Sequence, residues 1–287
     1  MFFVLASLFV AFLKSVRDIL CKTTVGREDE YIVTWSMHFF ALPLLAVLVF
    51  LSGIPSVGFA FWPALFLCVF IDLAAYLITM RALKTYDVSL LMPFTSFTPL
   101  FLLLTSHIIL GEFPGYFGLV GVLFIVVGSY FMNISQNSKG LLAPLKAVLN
   151  DKGPRMMLVV AFLISVTPNF DKIGVLNSSP AFWTFSLYLS TALVLTPFVI
   201  ILSKKSVSHM RQNAVKLAPL GLVHGLMTFI QMTVLSIALV VYVVSIKRTS
   251  NIMTVILGHH MLKENCLRER LIGSILMVLG VILIALS

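Results

Sequence analysis

The sequence is poor in charged residues and in cysteine. Only 11% of its 287 residues are Asp, Glu, Lys or Arg, whereas soluble domains carry roughly a quarter. Hydrophobic residues make up 60% of the chain, and the mean hydropathy is +1.06. This composition excludes an ordinary soluble domain and indicates an integral membrane protein.

The motifs of common enzyme and metal sites are also missing. Cys21, Cys68 and Cys266 are scattered, so their spacing indicates neither a disulfide framework nor a CxxC metal site. A phosphate-binding loop, a nucleophile elbow and zinc-ligand spacing are absent from the sequence as well. We therefore expect a protein that is not an enzyme and that has no catalytic residue, no metal and no cofactor.

Apolar stretches of about 20 residues, the length that crosses a bilayer as a helix, follow one another along the chain. Turn-forming residues such as Gly53-Ile-Pro55 separate them. The sequence therefore predicts an all-α membrane protein with ten transmembrane helices. The predicted spans are 2–21, 32–52, 61–83, 89–110, 115–133, 155–173, 180–202, 214–238, 242–262 and 269–286.

The chain contains an internal repeat. Val10-Ala-Phe-Leu13 recurs 150 residues later as Val160-Ala-Phe-Leu163, and Leu110-Gly-Glu112 aligns with Leu262-Lys-Glu264 at a shift of 152. Each half then holds five spans, and because five is odd the halves enter the membrane with opposite orientation. Such inverted repeats are typical of secondary transporters. The predicted units are a first repeat at 1–134, a connecting loop at 135–154 and a second repeat at 155–287.

The net charge of +9 comes from basic residues that cluster between the apolar stretches. In this position they set membrane orientation and contact anionic lipid, so we expect no nucleic-acid partner. The loops after odd-numbered spans carry fourteen Lys and Arg residues, whereas the loops after even-numbered spans carry only Lys172. This asymmetry favours odd loops in the cytoplasm and both termini outside.

Lys247 and Arg248 are adjacent cations inside an apolar span. A cation at this depth costs at least ~2.5 kcal/mol and normally faces a bundle interior, a partner or a substrate path. In a continuous helix Lys247 would share a polar face with Asn251. We interpret the pair as an anchor for an anionic substrate. Residues that snorkel at a helix end, or a structural salt bridge, are the alternatives.

Further polar residues lie within the predicted spans. A shift of 152 places Asp72 opposite His224, so we interpret both as coupling or counter-ion residues. An alternative for Asp72 is that it simply neutralises Lys247 or Arg248. Secondary substrate contacts are predicted at Gln231, Tyr76, Thr95 and Asn251, on facing helices.

Three structural roles are also expected. Lys14 and Asp18, at i and i+4, can neutralise one another beside Arg17. Prolines should interrupt spans four and six, and glycines of spans five and ten should form close packing surfaces. The residues in these roles are Pro93, Pro99, Pro168, Gly118, Gly121, Gly128, Gly273 and Gly280.

Several motifs resemble those of the drug/metabolite transporter superfamily, specifically its EamA-like ten-helix members. They include Ala75 to Ser89, Leu110-Gly-Glu112 before Gly118 and Gly121, and Val244-Ser-Ile-Lys-Arg-Thr-Ser250 in the second half. The resemblance covers essentially the whole chain and implies an alternating-access carrier. It also implies phosphate contact by Lys247 and Arg248, because relatives that carry phosphorylated sugars have a Lys-Arg pair in the ninth helix. Family members commonly have cytoplasmic termini, in contrast to the loop charges.

We therefore expect a multi-pass secondary transporter of a small anionic metabolite in the inner or plasma membrane. Its partners would be this small-molecule substrate, the lipid bilayer and protons coupled to the flux. The alternatives are a lipid-phosphate flippase or membrane enzyme that uses the same cations, and a non-transporting membrane sensor.

Overall fold

The computed structural model of the chain describes residues 1–25, 30–86, 88–133, 151–202, 214–262 and 271–287. Within these ranges it contains thirteen α-helices and no strand, so the prediction of an all-α protein is confirmed. The helices are α1 Phe2–Val25, α2 Glu30–Phe39, α3 Leu42–Ser52, α4 Phe61–Thr85, α5 Val88–Thr95, α6 Thr98–Leu110, α7 Tyr116–Asn133, α8 Lys152–Leu176, α9 Pro180–Leu202, α10 Ala214–Leu235, α11 Val240–Lys247, α12 Ser250–Leu262 and α13 Leu271–Ala285.

Three pairs of helices, α2 with α3, α5 with α6 and α11 with α12, are each separated by only two residues. The helical face assumed within predicted span 242–262 is therefore interrupted, whereas predicted span 32–52 matches an apolar stretch that is long enough to cross a membrane. Six stretches of the described chain are long and apolar enough to cross a membrane. They are Tyr31–Ser52, Phe61–Thr79, Pro93–Leu110, Lys152–Leu176, Pro180–Ile201 and Leu217–Leu235, and Tyr116–Met132 and Ile272–Ala285 are shorter apolar helices.

The breaks after α5 and α11 lie 152 residues apart, at the shift found in the sequence. α5 and α11 have 8 residues each, and α6 and α12 have 13. At each break a threonine hydroxyl donates to a carbonyl three residues back, from Thr98 to Thr95 at 3.0 Å and from Thr249 to Ile246 at 2.7 Å. Such side-chain bonds compete with the helical ladder, and each accepting carbonyl lies in the last two residues of the helix before the break.

The proline predictions had different outcomes. The predicted interruption of the fourth span is present, since α5 ends two residues after Pro93 and α6 has Pro99 in its first turn. The predicted interruption at Pro168 is wrong, because α8 continues through it. Near this proline the Ser165 carbonyl accepts hydrogen bonds from Thr105 Oγ1 and Asn169 Nδ2, both at 2.9 Å. Neighbouring polar groups of this kind let a membrane helix tolerate proline.

α7 and α13 pack at backbone distance through the predicted glycines. A Cβ atom added at Gly121 would lie 2.6 Å from the carbonyl oxygen of Gly280, and one added at Gly128 would lie 2.6 Å from that of Gly273. A Cβ atom added at Gly280 or Gly273 would likewise lie 2.6 Å from the carbonyl oxygen of Gly121 or Gly128, respectively. Small residues allow this approach where helices associate in a membrane, so the predicted packing role of these four glycines is confirmed.

We expect Gly128→Ala to destabilise the protein by about 1–3 kcal/mol, the usual effect of overpacking. The new methyl group would meet the Gly273 carbonyl and force α7 and α13 apart. Thermal unfolding in detergent measures the effect. Gly115→Ala is the matched control, because nothing lies within 4 Å of a Cβ at that position. Equal unfolding temperatures for both variants would contradict the packing argument.

Candidate functional site

A cavity of about 330 Å³ lies between α1, the α5–α6 break, α8, α10 and the end of α11. We call it the cationic cavity, because Lys14, Arg17, Lys247 and Arg248 all line it. Its volume is in the range of small-molecule sites. The other lining residues are Thr95, Thr98, Val160, Ala161, Ile164, Pro168, Gln231 and Val244.

The two predicted anchor residues differ in how they are held. Lys247 Nζ donates to Gln231 Oε1 at 2.5 Å, so an uncharged side chain positions the ammonium group. Within the described residues the guanidinium of Arg248 makes no hydrogen bond or ion pair to a side chain. Arg248 therefore presents its planar array of donors to the cavity, and such an array matches carboxylate or phosphate oxygens.

The helix break determines where these cations lie. Lys247 is the last residue of α11 and Arg248 follows it as the C-cap, so both occupy the negative end of the helix dipole, which favours cations. The break also separates Lys247 from Asn251, so the prediction that they share one helical face is wrong. Asn251 Nδ2 instead donates to Ser129 Oγ at 3.3 Å, and Ser129 contacts Ser96 Oγ at 2.8 Å.

α1 contributes two cations that the sequence analysis assigned to structure alone. Lys14 Nζ contacts Asp18 Oδ2 at 2.7 Å, and Arg17 donates to Asp18 Oδ1 through Nε at 3.0 Å and Nη2 at 2.5 Å. The predicted ion pair is confirmed, yet Lys14 and Arg17 also line the cavity beside Lys247 and Arg248. The position of Lys14 and Arg17 within an apolar span could have suggested a functional role. The sequence of α1, however, does not show which helices it packs against.

The charges of this cluster do not cancel. Four cations line the cavity, none of its described lining residues is a carboxylate, and Asp18 pairs with the two cations of α1. Like charges in a medium of low dielectric constant repel strongly. An anion that enters the cavity would relieve this repulsion and bind the donors of Arg248.

A second cavity, of about 320 Å³, contains a carboxylate instead. We call it the acidic cavity. Asp72 and Tyr76 of α4 line it together with Thr34 and His38 of α2, and Thr34 Oγ1 donates to Tyr76 Oη at 3.2 Å. Tyr76, predicted as a substrate contact, thus lines the acidic cavity and not the cationic one. Further lining residues are Val69, Leu73, Ala75, Thr79, Ile164, Thr191, Val194 and Leu195.

Ile164 of α8 lines both cavities, so the acidic cavity and the cationic cavity are neighbours. Asp72 is an exposed residue that lines the acidic cavity. Among the described side chains no ion pair within 4.0 Å joins Asp72 to Lys247 or Arg248. The alternative in which Asp72 directly neutralises one of these cations is therefore not what the structure contains.

His224, the predicted mate of Asp72, lies behind the acidic cavity and lines neither cavity. Its ring packs 5.6 Å from the ring of His38 and 5.3 Å from that of Tyr188. Tyr188 Oη in turn contacts Thr228 Oγ1 at 2.5 Å. His38 thus stands between His224 and the cavity that Asp72 lines, a position that the sequence analysis did not foresee.

Asp171 is a buried carboxylate that the sequence analysis missed. Trp183 Nε1 donates to Asp171 Oδ1 at 3.0 Å, and Cys68 Sγ lies 3.7 Å from the same oxygen. It lines neither cavity. Asp171 lies within predicted span 155–173, so the argument applied to Asp72 could have identified it. Its partner Trp183 could not have been predicted, because it is on another helix.

Lys172 and Glu112 join distant parts of the chain. The sequence analysis counted Lys172 with a loop, and that assignment is wrong. Lys172 lies within α8, buried, and its ammonium pairs with Glu112 Oε1 and donates to the Ala238 carbonyl at 2.7 Å. Glu112 Oε2 also accepts the backbone N–H of Val240, the first residue of α11, at 3.1 Å.

Comparison with known proteins places this architecture in a family. The model of the EamA-like transporter family matches residues 1–134 and 152–286. The chain belongs to the EamA-like transporter family. One solved crystal structure shares the fold, with a TM-score of 0.73 and 14% identity over 99% of this chain and 96% of that one. No curated protein matches the chain.

Family membership confirms the resemblance seen in the sequence and identifies a multi-pass membrane transporter. EamA-like proteins are transporters rather than an enzyme family, which agrees with the expectation from the missing catalytic motifs. The two matched regions also correspond to the two halves in which the helix break recurs. The identity of 14% means that the solved structure supports the fold alone.

Proposed function

We propose that this EamA-like protein is a secondary transporter of a small anionic metabolite in the cell membrane, working by alternating access. The observation that carries the proposal is the cationic cavity, where Lys247 and Arg248 meet Lys14 and Arg17. Among the described residues, Asp18 is the one carboxylate within ion-pair distance of these four cations, and it pairs with Lys14 and Arg17. An anion is therefore the ligand class that stabilises the site best. We place the transporter in the cell membrane because the sequence analysis predicts an inner- or plasma-membrane protein.

The proposed architecture is ten transmembrane helices in two inverted repeats, 1–134 and 155–287, joined by 135–154. The matching lengths of α5 and α11, and of α6 and α12, support it. In inverted-repeat transporters, interrupted helices form the substrate site at the interface between the repeats. The α11–α12 break brings Arg248 to the cavity, and the α5–α6 break brings Thr95 and Thr98 to its opposite wall.

The proposed site residues take distinct roles. Arg248 and Lys247 anchor the anion, Gln231 holds Lys247, and Thr95 offers a hydroxyl to the substrate. Asn251 contributes indirectly, through its bond to Ser129 beside the break.

We also propose that Asp72 couples protons to the flux, with His224 and Tyr76 in its surroundings. Asp72 is suited to this role because it is exposed in a cavity that shares Ile164 as a lining residue with the anion site.

The expected result of a ligand screen is stabilisation of the purified protein by anions alone. The panel contains inorganic phosphate, succinate, glycerol 3-phosphate and neutral glycerol, together with lysophosphatidic acid as a lipid phosphate. A true ligand raises the unfolding free energy by about RT ln(1 + [L]/Kd), or ~2.7 kcal/mol at 100 Kd. Thermal unfolding gives the readout.

The panel separates the proposal from its rivals. Stabilisation by glycerol 3-phosphate or succinate, followed by their flux into proteoliposomes, supports a carrier of soluble anions. Stabilisation by lysophosphatidic acid alone would favour the lipid-phosphate flippase. Binding without flux of any panel member would favour the membrane sensor, and stabilisation by glycerol equal to that by its phosphate would refute the anion site.

A further inference from the structure

Glu112 and Lys172 form a contact about one helical turn away from the cationic cavity. The contact has three parts: the Lys172–Glu112 ion pair, the bond from Lys172 to the Ala238 carbonyl at 2.7 Å, and the bond from the Val240 N–H to Glu112 at 3.1 Å. We call this set of four residues the latch. Its side chains are largely shielded, with 11% of the Lys172 side chain and 16% of the Glu112 side chain exposed.

The latch joins the two halves that the family model matches separately. Glu112 belongs to the first half, whereas Lys172, Ala238 and Val240 belong to the second. At the α8–α9 turn, the Gly58 N–H of the first half donates to the Asn177 carbonyl of the second at 2.8 Å. The two halves are therefore tied to each other close to the end of α8 and the start of α11.

The helical register places the latch on one side of the cavity. α8 rises about 6 Å, at 1.5 Å per residue, from Pro168 in the cavity wall to Lys172. α11 covers the same distance from Val240 to Val244, which lines the cavity. The remaining lining residues of α8, including Val160 and Ala161, lie toward its Lys152 end, away from the latch.

Apolar side chains fill the space between the latch and the cavity. Val240, Val241 and Val243 are each 0% exposed. Tyr242 packs against Phe3 at the start of α1, with ring centroids 6.3 Å apart, and its side chain occupies the space where a Cβ on Gly118 would lie. The first turn of α11 is thus a closed layer, and the latch holds that turn against α8.

We propose that the Glu112–Lys172 pair is a gate that must open once in each transport cycle, and this inference rests on the proposed alternating-access function. A substrate can pass the closed layer only if the start of α11 moves away from α8, and that movement breaks the bonds at Ala238 and Val240. The buried ion pair therefore biases the protein toward the state in which this face is closed. Glu112 and Lys172 act as positioning residues and touch no substrate.

The test measures the accessibility of the cavity from each side of the membrane. Val244→Cys is introduced as a reporter after replacement of Cys21, Cys68 and Cys266. Its reaction rate with a membrane-impermeant maleimide is then compared in right-side-out and inside-out vesicles. With the latch intact, the reporter is expected to react mainly in one orientation.

Glu112→Gln keeps an acceptor for the Val240 N–H and removes only the charge, and Lys172→Met removes the partner. Each is expected to raise the reaction rate from the closed side roughly tenfold or more, the population shift expected when a charge-assisted hydrogen bond is lost. Lys172→Arg should restore the one-sided reaction. The double variant should resemble the single ones, because the two residues act as a pair.

Asp151→Asn, which removes an exposed carboxylate at the start of α8, is the matched control and should change neither rate. Thermal unfolding of each variant confirms that it is folded. Folded Glu112→Gln and Lys172→Met variants that keep the one-sided reaction would overturn the gate and leave a structural ion pair. The labelling needs no substrate, so the gate can fail or succeed whether or not any panel anion is carried.

Discussion

Arg248→Ala is expected to abolish anion-induced stabilisation while leaving the ligand-free protein at least as stable as the unmodified one. Arg248 lines a cavity with three other cations and has no side-chain partner within the described residues. Its removal therefore lowers the repulsion between the cations and leaves no side chain without a hydrogen-bond partner. Loss of a charged hydrogen bond to the ligand costs roughly 1.5–3 kcal/mol. That corresponds to roughly a tenfold to hundredfold weaker Kd.

Lys247→Ala should weaken anion binding by a similar amount but with a different effect on the ligand-free protein. Lys247 is bonded to Gln231 Oε1, and truncation leaves that oxygen without its donor. We therefore expect a modest fall in unfolding temperature for Lys247→Ala and none for Arg248→Ala. Thermal unfolding with and without glycerol 3-phosphate and inorganic phosphate measures both quantities.

Arg81→Ala is the matched control for these two variants. Arg81 is an exposed cation of α4 that lines neither cavity, so its removal changes the net charge equally without touching the site. Normal anion binding by both cavity variants, together with a lower unfolding temperature, would mean that the cations serve only to hold the helices together.

The second large effect is expected at Asp72. In proteoliposomes, anion flux through the unmodified protein should rise with an inward proton gradient. Asp72→Asn should abolish that dependence while leaving anion exchange. The carboxylate lies exposed in the acidic cavity and has no direct ion pair with Lys247 or Arg248. It is therefore able to gain and lose a proton as each side opens. An anion that occupies the neighbouring cations would favour the protonated form, so anion and proton move together.

Asp171→Asn provides the matched comparison for Asp72→Asn. Asp171 is also an intramembrane carboxylate, but Trp183 and Cys68 hold it and it lines neither cavity. We expect this variant to be less stable and still to respond to the proton gradient. Flux through the unmodified protein that ignores the gradient would exclude coupling and would leave a uniporter or exchanger with Asp72 as a structural counter-ion.

The charge pattern of the sequence located the important intramembrane residues better than it located their partners. Lys247 and Arg248 were singled out because a cation in an apolar span is costly and is usually functional. Both residues line the cationic cavity. The same reasoning reached Lys14 and Arg17 but gave them a structural role, since their i, i+4 neighbour Asp18 offered a local explanation. Asn251 was assigned to the site on the assumption of an unbroken helix, but the break after Lys247 takes it off the helical face of Lys247.

Local sequence determined the features that depend on a single segment. Apolar length and turn residues predicted an all-α membrane protein, and the repeated motifs predicted the shift of 152 that relates α5 to α11. Glycine spacing predicted the close packing of α7 against α13. Each of these features follows from the spacing of apolar or small residues, from the turn-forming tendency of glycine and proline, or from the cost of burying polar groups within a short stretch of chain.

Only the tertiary structure decided which charges meet. Lys14 lies beside Arg248 because α1 packs against α11 and α12. Tyr76 lines the acidic cavity together with residues of α2 and α9, and Lys172 reaches Glu112 across 60 residues of sequence. Helices with apolar residues on every side present several faces of nearly equal hydrophobicity to a bilayer. Their rotation is therefore set by packing with distant helices, and that packing is what turns separate buried charges into a cavity and a latch.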